Sequence, residues 1–180
     1  MNADQGAVFC ALIVMGVSGS GKSTIANALG RRLGWIVEDA DRFHPASNID
    51  KMSAGIALTD DDRWLWLRAI AAEIGRKRAS GTSIIMACSA LKRAYRDILV
   101  NGHHDTRIVY LRGDKELIAD RLKARDAHFM PPGLLESQFE TLEEPMQGER
   151  PIIVDIDATV DDIANRIVTM LDCSGMRKRV

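Results

Sequence analysis

Apolar runs alternate with amphipathic segments along the whole chain. Residues 8–15 are continuously apolar, which is typical of a strand buried on both faces. Behind it, Ile25, Ala28, Leu29 and Leu33 recur at helical spacing. Four more apolar runs of strand length follow, at residues 35–39, 83–88, 107–111 and 152–156. Strands that alternate with helices predict a three-layer α/β/α fold, a parallel sheet covered by helices on both faces.

The longest predicted helix runs from Thr59, a good N-cap before three acids, to about Ala79. Its apolar stripe predicts that Trp64 packs in the core and that Trp66 lies on the opposite side, at an interface. In a parallel sheet with right-handed crossovers, the loops that follow the strands meet along one edge. The site is therefore expected in residues 16–23, 39–45, 89–96, 112–114 and 157–159.

The first strand and first helix are joined by a segment that fits the phosphate-loop pattern G-x-x-x-x-G-K-[ST]. Its backbone N–H groups would point at an anion from the positive end of a helix dipole. Lys22 is expected to reach the β- and γ-phosphates and Ser23 to ligate Mg²⁺. A glycine-rich turn that only connects two elements is disfavoured, because all eight positions and both flanks fit. The predicted contacts to a nucleoside triphosphate are Gly16, Ser18, Gly19, Ser20, Gly21, Lys22, Ser23 and Thr24.

Two carboxylates, Asp39 and Asp41, follow the second strand at the same edge. A carboxylate there either holds a metal-bound water or accepts the proton of an attacking hydroxyl. Because alternate residues of an extended segment point to opposite sides, we assign Asp39 to the metal and Asp41 to the hydroxyl as general base. Helix capping or surface charge is the alternative. The third strand ends in Cys88-Ser89 without an acid, which disfavours motor ATPases and GTPases and favours a phosphoryl donor.

Two groups of cations follow strands or begin helices near this edge. Arg63 comes after three acids at a helix start, where a cation is unfavourable for the helix dipole. It is expected either to face a ligand or to pair with Asp60 or a neighbouring acid. Lys92 and Arg96 are four residues apart, so they are predicted to share one helical face. That face suits an anionic acceptor, with an ordinary solvated face as the alternative.

A third group lies beside a break rich in proline and glycine, residues 126–133. Arg121 and Arg125 are again four apart, and cations on such a closing flap would neutralise charge on the transferring phosphoryl group. His44 and His128 have no partner at metal-ligand spacing, so hydrogen bonding is the expected role for both and zinc is disfavoured.

The overall composition limits the classes of protein to which the chain can belong. The 180 residues are 46% hydrophobic and 27% charged, which is typical of one globular domain, 1–180. A formal net charge of −1 disfavours a nucleic-acid-binding surface. The apolar N-terminal run is too short to span a bilayer, so no membrane partner is expected. Three widely spaced cysteines, two of them in apolar runs, predict reduced thiols and a cytoplasmic location.

Segments spread over about residues 12–156 form a combination far more specific than the phosphate loop. They are Met15 to Ser23; Asp39-Ala40-Asp41 with His44-Pro45, Asn48-Ile49 and Lys51-Met52; Leu58 with Asp60-Asp61-Asp62-Arg63 and Trp66-Leu67; Cys88 to Lys92 with Tyr95-Arg96-Asp97; His128-Phe129; and Ser137 to Glu140 with Leu142-Glu143 and Pro145. Together they resemble the small, bacterial-type gluconate kinase (gluconokinase) family, related to shikimate kinase. Ala40 departs from the glycine often found there, and Pro131-Pro132-Gly133 departs in the flap.

The resemblance implies ATP-dependent phosphorylation of the 6-hydroxyl of D-gluconate, with Mg²⁺ as cofactor. It implies a nucleoside monophosphate kinase-like sheet in the order 2-3-1-4-5, a mobile lid at about 126–144, and a homodimer. The residues it implies for substrate binding are Asp41, His44, Arg63, Lys92, Arg96, His128 and Gln138, and those for catalysis are Lys22, Asp39, Asp41 and Arg125. Arg121 and Arg125 would contact the nucleotide, with adenine between Arg121 and residues 157–159. The alternatives are a kinase for shikimate or a nucleoside monophosphate, and an idle nucleotide-binding module.

Overall fold

The computed structural model describes residues 9–123 and 132–173. Within them the chain alternates between strands and helices as the apolar pattern predicts, although the first strand begins at Ala11 rather than at residue 8. The elements are β1 (Ala11–Met15), α1 (Lys22–Leu33), β2 (Ile36–Asp39), α2 (Ala46–Ser53), α3 (Asp60–Ala79), β3 (Ile84–Ala87), α4 (Arg93–Val100), β4 (Thr106–Arg112), α5 (Lys115–Lys123), α6 (Pro132–Thr141), β5 (Ile152–Asp155) and α7 (Val160–Cys173). Short 3₁₀ turns lie at Ala40–Phe43 and Gln147–Glu149.

The strands form one parallel sheet in the order β2-β3-β1-β4-β5, which confirms the expected topology. The central strand β1 pairs with β3 on one side and β4 on the other, so that Leu12 lies between Ile85 and Arg107. Every residue of β1 is buried. A strand with helices on both of its faces has no solvent-facing side, which explains its unbroken apolar sequence.

Successive side chains of β1 point to opposite faces of the sheet and pack in two separate layers of the core. Leu12 and Val14 pack in the layer that also contains residues of α1 and α7. Ile13 and Met15 pack in the layer that contains residues of α3 and α4. Burying each such side chain stabilises the fold by about 1.5–3 kcal/mol. The strand thereby holds both helical layers in place and fixes where the loop after Met15 emerges.

Helix α3 differs from expectation in the face that it buries. Thr59 caps it in a capping box with Asp62, as its sequence predicts. Trp66, however, is 3% exposed and donates its indole N–H to the Ala40 carbonyl at 2.7 Å. Trp64 is only partly buried and meets the Tyr95 ring edge-on at 5.5 Å. The predicted positions of the two tryptophans are therefore wrong, because the turn after β2 supplies a polar partner for an inward-facing indole.

None of the helices in the described ranges is both long and apolar enough to cross a membrane. The loops after β1, β2 and β3 emerge at one edge of the sheet, as parallel pairing requires. The side chains on those loops form the candidate site.

Candidate active site

The phosphate loop leaves β1 and enters α1 through residues with backbone conformations that favour glycine. Gly19 has φ +83°, and a Cβ added there would lie 2.8 Å from Leu122 of α5. A Cβ at Gly16 would lie 2.7 Å from the Ser20 hydroxyl, which is buried and has no hydrogen-bond partner in the described part of the chain. Both glycines are thus required by close packing as well as by the turn.

Lys22 and Ser23 are the first two residues of α1, and their side chains have different partners. The Lys22 ammonium donates to the Val17 carbonyl at 3.0 Å, so its side chain folds back over the loop. The Ser23 hydroxyl donates to Asp39 Oδ2 at 3.3 Å. The structure therefore brings the two predicted magnesium ligands together. Mg²⁺ prefers oxygen and is usually held by one or two protein oxygens plus phosphates, so this donor pair fits it.

Asp41 reaches the site differently from the way the sequence suggested. It lies in the 3₁₀ turn at Ala40–Phe43 rather than in an extended segment. The other oxygen of Asp39 accepts from the Asp41 backbone N–H at 3.0 Å, which caps that turn. The Trp66 indole N–H donates to the Ala40 carbonyl and so stabilises the turn. The Asp41 side chain is exposed.

His44 stacks on Trp66, with ring centroids 4.4 Å apart and planes within 10°. The Asn48 amide, buried beside it, donates to the Asp62 carbonyl at 2.8 Å and lies 3.3 Å from His44 Nδ1. We infer that Nδ1 accepts from Asn48 and that the ring proton is on Nε2. Burial lowers the pKa of His44, partly opposed by Asp41, so the ring is a neutral hydrogen-bond donor at neutral pH.

Asp60 gathers side chains from two helices. Its carboxylate accepts from Lys92 Nζ at 2.7 and 3.0 Å and from the Tyr95 hydroxyl at 2.5 Å. Arg63 Nη1 lies 3.4 Å from both Asp60 and the Tyr95 hydroxyl, so the expected pairing of Arg63 with Asp60 is present. Hydrogen bonds from Lys92 and Tyr95 lower the pKa of Asp60. Both cations nevertheless remain about 30% exposed, at 29% for Arg63 and 30% for Lys92.

Arg96 does not join Lys92, and its predicted role in substrate binding is wrong. It is 1% exposed, and its guanidinium donates to Glu149 at 2.6 and 3.0 Å. It also donates to the Ala90 and Leu91 carbonyls at 3.1 and 3.0 Å. Lys92 is the N-cap of α4 and not part of its helical face. Arg96 therefore stabilises the loop that carries Lys92.

Helix α6 and the residues after it contact both the phosphate loop and the loop that follows β3. Gln138 Oε1 accepts from the Ser18 N–H at 2.6 Å, and Gln138 Nε2 donates to the Ser18 hydroxyl at 3.2 Å. The Glu143 carboxylate accepts from the Arg93 N–H at 2.6 Å, and the Glu143 N–H donates to the Leu91 carbonyl at 2.9 Å. Asp60, Tyr95 and Glu143 were missed as site residues, although each falls in a segment that carries the family resemblance.

A cavity of about 270 Å³ opens beside the phosphate loop. Arg121 lines it and donates to the Ile156 carbonyl at 2.5 Å. The residues around it include Gly19, Thr24, Arg121, Ala158, Val160 and Ile163. This is where the sequence places adenine, between Arg121 and the loop after β5. Arg125, His128 and the start of the predicted lid, residues 126–131, lie outside the described residues.

Comparisons with known proteins identify gluconokinases as relatives of this chain. A family model described as an AAA domain matches residues 12–147. A probable gluconokinase of Xenopus tropicalis is 41% identical over 176 residues, covering 89% of this chain and 93% of that protein. The thermoresistant gluconokinase of Escherichia coli is 42% identical over 161 residues, covering 88% and 91%. The crystal structure of a gluconokinase from Sinorhizobium meliloti is 42% identical with a TM-score of 0.81, covering 92% of this chain and 93% of that one.

Proposed function

This chain belongs to the gluconokinase family of P-loop kinases, and on that basis we propose that it transfers the γ-phosphoryl group of ATP to the 6-hydroxyl of D-gluconate. The product is 6-phospho-D-gluconate. The observation that carries the proposal is the pair of partly exposed cations, Arg63 and Lys92, which converge on Asp60. Such a pair beside a phosphate loop suits a small acid with one carboxylate.

The donor half of the site is the phosphate loop with α1. Loop N–H groups and Lys22 bind the ATP phosphates, and the adenine occupies the cavity beside Arg121. Ser23 and Asp39 would hold Mg²⁺, which neutralises charge on the phosphate oxygens when bound. Arg125 is assigned to the transferring phosphoryl group, as the resemblance implies.

The acceptor half faces the turn after β2. Arg63 and Lys92 bind the gluconate carboxylate, and His44 donates from Nε2 to a hydroxyl of the sugar acid. Gln138 and His128 are assigned to the side of the site covered by the lid. Asp41 accepts the proton of the 6-hydroxyl as the hydroxyl oxygen attacks the γ-phosphorus and ADP leaves. The exposure of Asp41 and its anchored backbone support this role.

The test is an assay of ADP release with purified protein across small acids. D-gluconate should give Mg²⁺-dependent turnover, while shikimate and AMP should give only background. Turnover of shikimate or AMP in place of gluconate would favour the rival kinases. ATP binding without turnover of any acid would favour an idle nucleotide-binding module.

We further propose that the chain is one kinase domain, works in the cytoplasm and forms a homodimer. Cys10 and Cys88 are buried free thiols, and burial raises the pKa of each to about 12, which suits proteins of reducing compartments. Light scattering in solution tests the dimer.

A further inference from the structure

Four side chains at the starts of α3 and α4 form one cluster, the acceptor-side cluster: Asp60, Arg63, Lys92 and Tyr95. Asp60 lies at its centre and contacts each of the other three. Two cations and one carboxylate leave the cluster with a single net positive charge. The Tyr95 ring, 3% exposed, closes the buried side and lies within 6 Å of both cations, at 5.9 Å from Arg63 and 5.7 Å from Lys92.

Helix capping alone does not explain the contacts that Asp60 makes. Thr59 and Asp62 already form the capping box of α3. The neighbouring Asp61 is exposed, and Asp62 pairs with Lys51 at 2.6 Å. Asp60 instead bonds side chains that are 32 and 35 residues away along the chain. Of the three consecutive acids, it alone faces the cations assigned to the acceptor.

The cluster also lies next to the reacting end of the site. Asp41 raises and Arg63 lowers the pKa of His44, so both charged groups lie near that ring. A carboxylate bound by Arg63 and Lys92 must share them with Asp60, because both cations already contact the Asp60 carboxylate. A second negative charge at the same end of the acceptor would meet Asp60 without a cation left to offset it.

We propose that Asp60 is a positioning and specificity-determining residue: it holds Arg63 and Lys92 together and cancels one of their charges, so that the site accepts one negative charge and rejects a second. The proposal rests on the proposed function. With Asp60 neutral, two adjacent cations would repel each other and attract a dianion. Specificity of this kind arises from a repulsive element as well as an attractive one.

The test uses the 6-deoxy analogue of D-gluconate with a phosphonate in place of the carboxylate, as a competitive inhibitor at pH 8. It carries two negative charges at the end bound by Arg63 and Lys92 and lacks the reacting hydroxyl. The measured quantity is the Ki of this phosphonate divided by the KM of D-gluconate. In Asp60→Asn this ratio should fall about tenfold relative to wild type, and the fall should shrink at high salt. Asp61→Asn is the matched control, since it removes the same charge from the same helical turn on an exposed side chain. Its ratio should stay at the wild-type value.

Two further variants keep the test decisive. Asp60→Glu should retain the wild-type ratio even where kcat falls. Lys92→Met should shift the ratio upward and raise the relative use of D-glucitol, a neutral polyol with the same primary hydroxyl. An unchanged ratio in both Asp60→Asn and Lys92→Met, with wild-type melting temperatures, would overturn the inference while leaving the proposed function intact. Failure of the wild type to phosphorylate gluconate would remove both.

Discussion

Gln138 binds the phosphate loop at Ser18 through both ends of its amide, although the two residues are 120 positions apart in the chain. One bond uses a backbone N–H of the loop and the other uses the Ser18 hydroxyl. The loop is therefore held from α6 as well as from β1 and α1. Its geometry depends on a residue that the phosphate-loop pattern does not contain.

Gln138→Leu should raise the KM for ATP about tenfold with a small change in melting temperature, because each lost hydrogen bond contributes only about 1 kcal/mol to stability. Steady-state kinetics with varied ATP measure this. Ser137→Ala, on an exposed neighbour in α6, is the control. An unchanged KM for ATP would show that the contact does not shape the nucleotide site.

Asp41→Asn should lower kcat by about 10²-fold or more, the usual scale for a general base, while ATP affinity stays close to wild type. The side chain is exposed, so the substitution should leave folding unaffected. Single-turnover phosphoryl transfer and calorimetric ATP binding separate the two effects. Near-normal turnover would take Asp41 out of the mechanism.

Lys22→Ala should lower both ATP affinity and kcat, because the ammonium is expected to bind the phosphates in the ground state and in the transition state. Lys123→Ala serves as the control, since Lys123 is exposed and its ion pair among the described residues is with Asp120, one helical turn away. Calorimetric titration with ATP reports the affinity. If Lys22→Ala bound ATP as tightly as the wild type, the lysine would have no place at the phosphates.

Glu149 should make stability depend on pH. Burial alone would raise its pKa, but hydrogen bonds from Arg96 and the Met146 N–H hold that pKa below its ordinary value of 4.5. A carboxyl whose folded-state pKa is lowered contributes stability above its unfolded pKa and loses it as pH falls through the folded value. The free energy of unfolding should thus drop from about pH 5 downward, and less steeply in Glu149→Gln.

The same variant should cost about 3–5 kcal/mol at pH 7, because it leaves the buried Arg96 charge unpaired. Asp155→Asn is the comparison, since it breaks an exposed pair with Arg112 and should cost less than about 1 kcal/mol. Urea unfolding at several pH values measures both. Equal costs for the two variants would contradict the burial argument.

The parallel sheet and the phosphate loop follow from local sequence, because periodicity and turn chemistry are short-range properties. The order of the strands was implied only by the family resemblance. The β1 run is apolar on both faces, and glycine spacing identifies the loop. Ser23 and Asp39 were also expected at one edge of the sheet, since both follow strands, and the structure places them in contact. These inferences need only the chain direction and the handedness of the crossovers.

The predictions that were wrong depend on partners far along the chain. Arg96 has the spacing of a surface cation, yet Glu149, 53 residues away, buries it. Trp66 was expected at an interface, yet it shares the buried face of α3 with Ile70 and Ile74, and the Ala40 carbonyl accepts its N–H. A buried polar group goes wherever its hydrogen-bond partner lies, and periodicity carries no information on that partner.

The stack of His44 on Trp66 gives the molecule an optical reporter at its acceptor site. A neutral imidazole leaves indole emission bright, whereas a protonated one quenches it. Since the lowered pKa keeps His44 neutral at pH 7, the emission of Trp66 should fall only on acidification, and gluconate should shift that midpoint. With Trp35 and Trp64 replaced by phenylalanine, one fluorophore would report the arrival of the acceptor in real time, before any phosphate has moved.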